Sequence, residues 1–306
     1  MKRFVLLTAI LAPVIVMAFI IGCGSSDKST NDSLLPGDTT NPSFQLVSDF
    51  LGEGIAENVS QSINLSFELW DSIPDVTASP RDHYRPMITQ AGDSVSLTYT
   101  YAYSNGWHIF DFEAYSADIT DTVVVSGIDS IRFLSEGTPM QFPDSTVDAL
   151  IIHPHFSINT YVNGSSISSD QALTLSNLSN NPTQPVTVNG ASVEIASLVF
   201  DDSNSTCTLD MSSTLGISNV VVLLEGDECP SSGSMNLLAT LDLACIGVGD
   251  NLGDSLNVNG AWNLTAAYTG TATNLRYSDG TTEWNVTDSC GNNPPAGIGR
   301  WMHPRE

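Results

Sequence analysis

From Asp93 onward the chain alternates apolar and polar residues with a period of two, the signature of strands with one buried face. Val95, Leu97, Tyr99, Tyr101 and Tyr103 alternate with Ser96, Thr98, Thr100, Ala102 and Ser104. Asn105-Gly106 follows, a dipeptide suited to a two-residue hairpin turn, and the returning strand runs from Trp107 to Tyr115. Such a turn sets Tyr101 opposite Phe110, Tyr99 opposite Phe112 and Leu97 opposite Ala114, so the apolar faces coincide. The same pattern predicts further strands near 119–126, 129–134, 147–158, 171–176, 185–189, 192–200, 205–213, 218–225, 234–245, 256–268, 272–278 and 281–288. Asn163-Gly164, Asn189-Gly190, Asn259-Gly260 and Asp279-Gly280 punctuate them. Trp262-Asn-Leu-Thr returns as Trp284-Asn-Val-Thr, an echo of hairpin chemistry rather than a solenoid period.

Before this region the period is helical. Asn41-Pro42 offers a capping side chain and a proline at the first helical position. Phe44, Val47, Leu51, Ile55, Val59, Ile63, Phe67 and Trp70 then recur at three or four residues. The expected fold is mainly β: an antiparallel meander forming a sandwich, a barrel or a curved half-barrel, with an N-terminal helix packed against it. A helical segment over 43–73 and an antiparallel β region over 74–306 are expected to form one domain.

The first residues have a different character. Met1-Lys2-Arg3 is basic, Phe4 to Ile21 is almost wholly apolar, and Gly22-Cys23-Gly24-Ser25-Ser26 follows. This is the layout of an export signal. Ile20-Ile21-Gly22-Cys23 resembles the lipobox of bacterial lipoproteins. That resemblance covers about 25 residues, and it implies cleavage after residue 22 and acylation of Cys23, with palmitate among the usual chains. Two or three acyl chains would hold the protein stably on a bilayer. Gly24, where an Asp would resemble an inner-membrane retention signal, leans the expected location toward the outer membrane. Residues 23–42, rich in Ser, Asp, Thr and Asn, read as a lipidated Cys and a flexible tether.

Charge narrows the partners. The chain holds 9 Lys+Arg against 34 Asp+Glu, which argues against nucleic acid. A surface of one sign self-repels and stays soluble. Besides Cys23 the chain has Cys207, Cys229, Cys245 and Cys290. An even number in an exported protein predicts disulfides. With 205–213 and 218–225 read as neighbouring strands, the expected pairs are 207–229 and 245–290.

Candidate chemistry is sparse. His153 and His155 flank Pro154 and would point the same way from a strand, but no third metal ligand is visible, so no metal site or cofactor is expected. His108 reads as a histidine at the core margin. Asp201-Asp202-Ser203-Asn204-Ser205 and Asp250-Asn251-Leu252-Gly253-Asp254 lack the spacing of a helix-loop-helix calcium site. Arg81-Asp82-His83-Tyr84-Arg85 is the basic cluster of the mature chain and is expected to pair with the chain's own carboxylates. No hydrolase, zinc-protease or nucleotide-loop motif is present. The expectation is therefore a non-enzymatic, lipid-anchored binding or structural module of the cell envelope, with the membrane as a partner through Cys23. The alternative is a carrier or chaperone of an apolar ligand, lipid or lipoprotein, in a cavity lined by Tyr99, Tyr101, Phe110 and Phe112.

Overall fold

The computed structural model describes residues 35–48, 51, 62–63, 73, 95–117, 122–161, 164–179, 184–201, 206–223, 230–246 and 255–289. Thirteen strands form one open sheet. They are β1 (Leu35–Pro36), β2 (Val95–Ser104), β3 (Trp107–Ala117), β4 (Thr122–Ser135), β5 (Thr138–Pro139), β6 (Ala149–Thr160), β7 (Ser166–Ser176), β8 (Val186–Asp201), β9 (Thr206–Val222), β10 (Ser232–Ile246), β11 (Ser255–Tyr268), β12 (Ala272–Ser278) and β13 (Thr282–Ser289). Their spatial order is β1-β13-β12-β11-β10-β9-β8-β7-β6-β4-β3-β2, with β5 on β4. Consecutive strands are almost always neighbours, as short antiparallel connections demand. The short β1 pairs in parallel with β13, which makes the sheet mixed.

The long strands from β3 to β11 bury alternate residues. On β9 the odd positions from Cys207 to Ile217 are buried and the even ones exposed. Because paired residues share a face, the pattern passes from strand to strand. Met211 lies opposite Leu241 on β10 and Ala196 on β8, and all three are buried. The core therefore lies on one face of the sheet. Phe44, Val47, Leu51, Ile63 and Ile73 from the N-terminal segment belong to that same core.

Helical residues 42–48 begin as the sequence suggests. The Asn41 side-chain oxygen accepts from the amides of Ser43 (2.9 Å) and Phe44 (3.4 Å), satisfying donors that a helix start leaves open. Phe44 stacks on Trp284 at 5.0 Å and meets Tyr277 edge-on at 5.3 Å. Trp284 in turn stacks on Trp262. The two Trp-Asn-x-Thr segments thus put both indoles on the inner face, where the helix docks. Of the remainder of the predicted 43–73 helix, residues 51, 62–63 and 73 are described, the first three of them helical.

Four expectations change, the first being that residues 122–126 and 129–134, predicted as two strands, belong to the one strand β4. The last part of the predicted tether is docked: Leu35 and Pro36 pair with β13, Gly37 N donates to Glu283 O at 2.7 Å, and Trp284 Nε1 donates to Asp38 O. Asn189-Gly190 lies inside β8 rather than at a turn, opposite a bulge on β9: between Val188 and Gly190 the register with β9 shifts by one residue. Glycine is required there because a Cβ would lie 2.3 Å from Ala172 O. Residues 206–213 and 218–222, predicted as two strands, likewise belong to one 17-residue strand. Asn219, with φ 50°, takes up the extra residue, and its amide donates to Asn189 Oδ1 at 2.8 Å. The same extra residue of β9 shifts its register with β10, between Ser232 and Ser234. A single bulge, met by a neighbour on either side, bends β9 without ending it.

That merger corrects the disulfide. Cys207 starts β9 and lies directly opposite Cys245 near the end of β10, and the two are bonded, 4.1 Å apart at Cα. The pairs 207–229 and 245–290 are both overturned. Because β9 runs on to Val222, Cys207 and the exit of that strand lie at opposite ends of the sheet. Cys229 and Cys290 lie outside the described residues. Their described neighbours, Pro230 and Ser289, share one end of the sheet: Gly270 N donates to Pro230 O at 3.1 Å, and Ala272 lies opposite Ser289.

The Asn105-Gly106 hairpin has the predicted register, with Tyr101 opposite Phe110 and Tyr99 opposite Phe112. Both turn residues have positive φ, 53° and 83°, as a type I′ turn needs. A Cβ at Gly106 would also press on Pro139 at 2.9 Å. Gly106→Val is expected to cost about 1–3 kcal/mol from backbone strain, with Asn105→Gly close to neutral; equilibrium denaturation of the two variants measures the difference. Non-reducing peptide mapping of the oxidised chain should return the 207–245 link, with Cys229 joined to Cys290 as the pair that remains.

Candidate functional site

The inner face is aliphatic and aromatic at both ends of the strands, yet polar in the middle. Asp129 (0% exposed) on β4, Ser169 and Gln171 on β7, Ser192 and Glu194 (3%) on β8 and Ser213 on β9 are all buried there. Their registers place them together. Glu194 lies between Ser169 and Ser213, and Ser192 lies between Gln171 and Leu215. Gln171 Nε2 donates to Ser169 Oγ at 3.1 Å. Asp129 lies opposite Pro154 on β6 and Phe110 on β3.

Two buried carboxylates on one apolar face are costly, so such groups are kept ionised only beside donors or cations. Chemically, the stripe can accept hydrogen bonds from cationic or amide groups laid against the inner face. It does not form a hydrolytic pair. Asp129 and Glu194 are three strand spacings apart, about 14 Å along the sheet, beyond the separation of a glycosidase dyad.

Sequence reasoning missed this stripe because the flanking residues mislead. In Val193-Glu194-Ile195 the apolar pair looks like the inward face. Instead Val193 and Ile195 are 47% and 60% exposed while Glu194 is buried. Ile128-Asp129 is inverted in the same way, with Ile128 45% exposed. The available signal lies at the strand ends: extending the alternation inward from Leu198 and Ala196, or from Phe133 and Ile131, puts each carboxylate on the core side.

The aromatic residues proposed to line a ligand cavity are packed together. Phe110 and Phe112 are buried, Tyr101 packs against the core, and Tyr99 is 42% exposed. The Tyr101 and Phe110 rings are 5.2 Å apart. His108 is fully buried among them and uses both ring nitrogens. Its Nε2 faces Met140 O at 3.0 Å, which can only accept, so Nε2 carries the proton and Nδ1 accepts from the Tyr101 hydroxyl at 3.0 Å. Burial pushes the His108 pKa down, partly offset by that carbonyl. Burial and the neighbouring Tyr103 raise that of Tyr101.

His153 and His155 are exposed on the opposite, outer face, while Pro154 between them is buried. His153 packs on Trp107 at 4.9 Å, and the Arg132 guanidinium lies 4.2 Å over the same indole. Arg132 also donates to Asn105 O at 3.1 Å, so it clips the β2–β3 turn to β4. Among the described residues no three His, Cys, Asp or Glu are grouped to hold a metal ion. Cys23, Cys229, Cys290, the Arg81–Arg85 cluster, residues 202–205 and the loop Asp250–Asp254 lie outside the described residues.

The depressed His108 pKa sets a sign for acid stability. The unfolded chain takes up this proton near the ordinary pKa of 6.5, whereas the folded chain resists it. Stability contributed by neutral His108 is therefore intact above that value and is lost as the pH falls below it. Thermal midpoints measured from pH 7.5 to 5 should fall more steeply for the native chain than for His108→Gln. Equal slopes would show that His108 does not carry the effect.

The chain matches no protein-family model, no curated protein and no solved structure.

Proposed function

We propose that the chain is a lipid-anchored lipoprotein of the cell envelope, held in the outer membrane through Cys23, and that it is a non-enzymatic binding or structural module. The address rests on the basic start, the apolar run and Ile20-Ile21-Gly22-Cys23. Its sheet acts as a half-barrel wrapped around its own N-terminal segment. The observation that carries the module reading is the sharing of one core by the inner face and the N-terminal residues Phe44, Val47, Leu51, Ile63 and Ile73. A carrier would keep that face for its cargo. Here Phe110 and Phe112 are sealed by protein, and the surface left for partners is the outer face.

That outer face suits weak, extended contacts rather than a small-molecule pocket. Along β9 it presents Thr206, Thr208, Asp210, Ser212, Thr214 and Ser218, all exposed. Small hydroxyl residues give a smooth surface that is cheap to dehydrate and rich in hydrogen-bonding groups. Ile128, Val193, Ile195 and Leu238 add apolar points on the same side. The acidic excess keeps this surface from anionic headgroups, so the protein stands off the membrane that anchors it.

Two measurements test the proposal. Cys23→Ser should abolish palmitate labelling and release the protein from the membrane fraction; a variant that stays labelled and membrane-held would refute the anchor. Lipid extraction of the purified native protein should return the anchor's own acyl chains and no stoichiometric second lipid. A bound lipid in molar amount would favour the carrier instead.

A further inference from the structure

The two lateral edges of the sheet are unlike. At one edge β13 is covered by β1 at Thr282 and Glu283, and it carries the acidic residues Glu283 and Asp288. At the other edge stands β2, ten residues long, and among the described residues no strand lies beyond it. Proteins commonly guard such an edge with Lys, Pro, a bulge or an inward charge. Val-Ser-Leu-Thr-Tyr-Thr-Tyr-Ala-Tyr-Ser has no charged residue and no proline, and its register with β3 is unbroken from Val95 to Ser104.

The hairpin fixes which backbone groups are on offer. In a two-residue hairpin the pair flanking the turn, here Ser104 and Trp107, exchanges hydrogen bonds within the hairpin, and the bonding then alternates along the strand. The N–H and C=O groups of Tyr103, Tyr101, Tyr99, Leu97 and Val95 therefore point outward from the sheet. Among them, Tyr99, Tyr101 and Tyr103 lie on the same side of the strand as buried Phe110 and His108 of β3.

We infer that β2 pairs with β2 of a second copy, antiparallel about a two-fold axis at Tyr99, joining two sheets into one. This register sets Tyr99 opposite its own copy, Leu97 opposite Tyr101 and Val95 opposite Tyr103. All five outward residues on each strand are then satisfied. Side chains that face inward in one copy meet side chains that face inward in the other, so the 42% exposed Tyr99 ring gains a neighbour without turning. Charge selects the occupant. With 34 Asp+Glu against 9 Lys+Arg, two copies repel over most of their surfaces, and β2 is a segment where they can meet with no charge on either strand. A basic partner would gain nothing from this edge and would be drawn to the acidic faces. The pairing stands independently of the membrane anchor.

Sedimentation equilibrium of the full chain in density-matched detergent should show a reversible dimer that tightens as salt is raised, because salt screens the mutual repulsion. Tyr99→Pro removes an outward N–H that the hairpin does not use, and proline is compatible with an edge strand. It should weaken the dimer at least about tenfold, equivalent to roughly 1.4 kcal/mol, with the far-ultraviolet spectrum unchanged. Tyr99→Lys keeps the N–H but brings two ammonium groups together at the axis, and should do the same. Hydrogen exchange should show the Leu97, Tyr99 and Tyr101 amides slowing as concentration rises. A chain that stays monomeric, a dimer untouched by both variants, or outward amides already protected in dilute monomer would each overturn the inference. The last result would mean that the chain covers this edge itself.

Discussion

An open sheet with one apolar face must cover that face, and this requirement organises the molecule. All thirteen described strands lie in a single sheet, so no second sheet among them takes the facing layer as in a sandwich. The cover comes in part from the N-terminal segment, whose Phe44 and Val47 reach the core from helical residues 42–48. The docking is reinforced where backbone and side chain coincide. Gly37 bonds to Glu283, Glu283 pairs with Arg276, and Phe44 stacks on Trp284 in the next position along β13. The Arg276 and Asn285 bonds hold the Glu283 carboxyl below its ordinary pKa, so this corner stays ionised and tied over the neutral range.

The strands were legible because their period is two and their faces differ. The β2–β3 register follows from one dipeptide and one apolar row, and β12 covers the predicted residues. Where prediction failed, it failed over Asn-Gly and Ser-rich stretches. The same dipeptide makes a turn at 105–106 and continues a strand at 189–190, because unusual φ serves either purpose. What separates them is tertiary: at 189–190 the neighbouring strand carries an extra residue at Asn219, and no local window around 189 reveals that. The disulfide error descends from this one misreading, since an undivided β9 leaves Cys207 and Val222 at opposite ends of the sheet.

The buried polar stripe was illegible for a different reason. Alternation assigns faces by counting hydrophobic residues, and at Val193-Glu194-Ile195 the local count favours the wrong face. The register of β8 is instead set by Ala196 and Leu198 on one side and Val186 and Val188 on the other, all buried. Since a one-residue slip would flip every side chain on the strand, those anchors override the middle. Glu194 is carried inward by its neighbours rather than by its own preference. Ile128-Asp129 repeats the inversion three strands away, between Val125 and Ile131.

Two inversions at the same level of the sheet, each placing a carboxylate inside and an aliphatic outside, run against the stability of an isolated sheet on both faces. Local choices that oppose the global pattern tend to mark places where something other than stability is being satisfied. Inside, the carboxylates specify what can be laid against the middle of the sheet: polar or cationic groups fit, and a purely apolar filling does not. Outside, Ile128 and Val193 occupy one row with His155 and Asp170 between them, so two ionisable groups are flanked by apolar ones across the centre of a hydroxyl-rich face. The sheet's middle is therefore its chemically distinct region on both sides, and the inner covering and the outer contact surface are set by the same few residues.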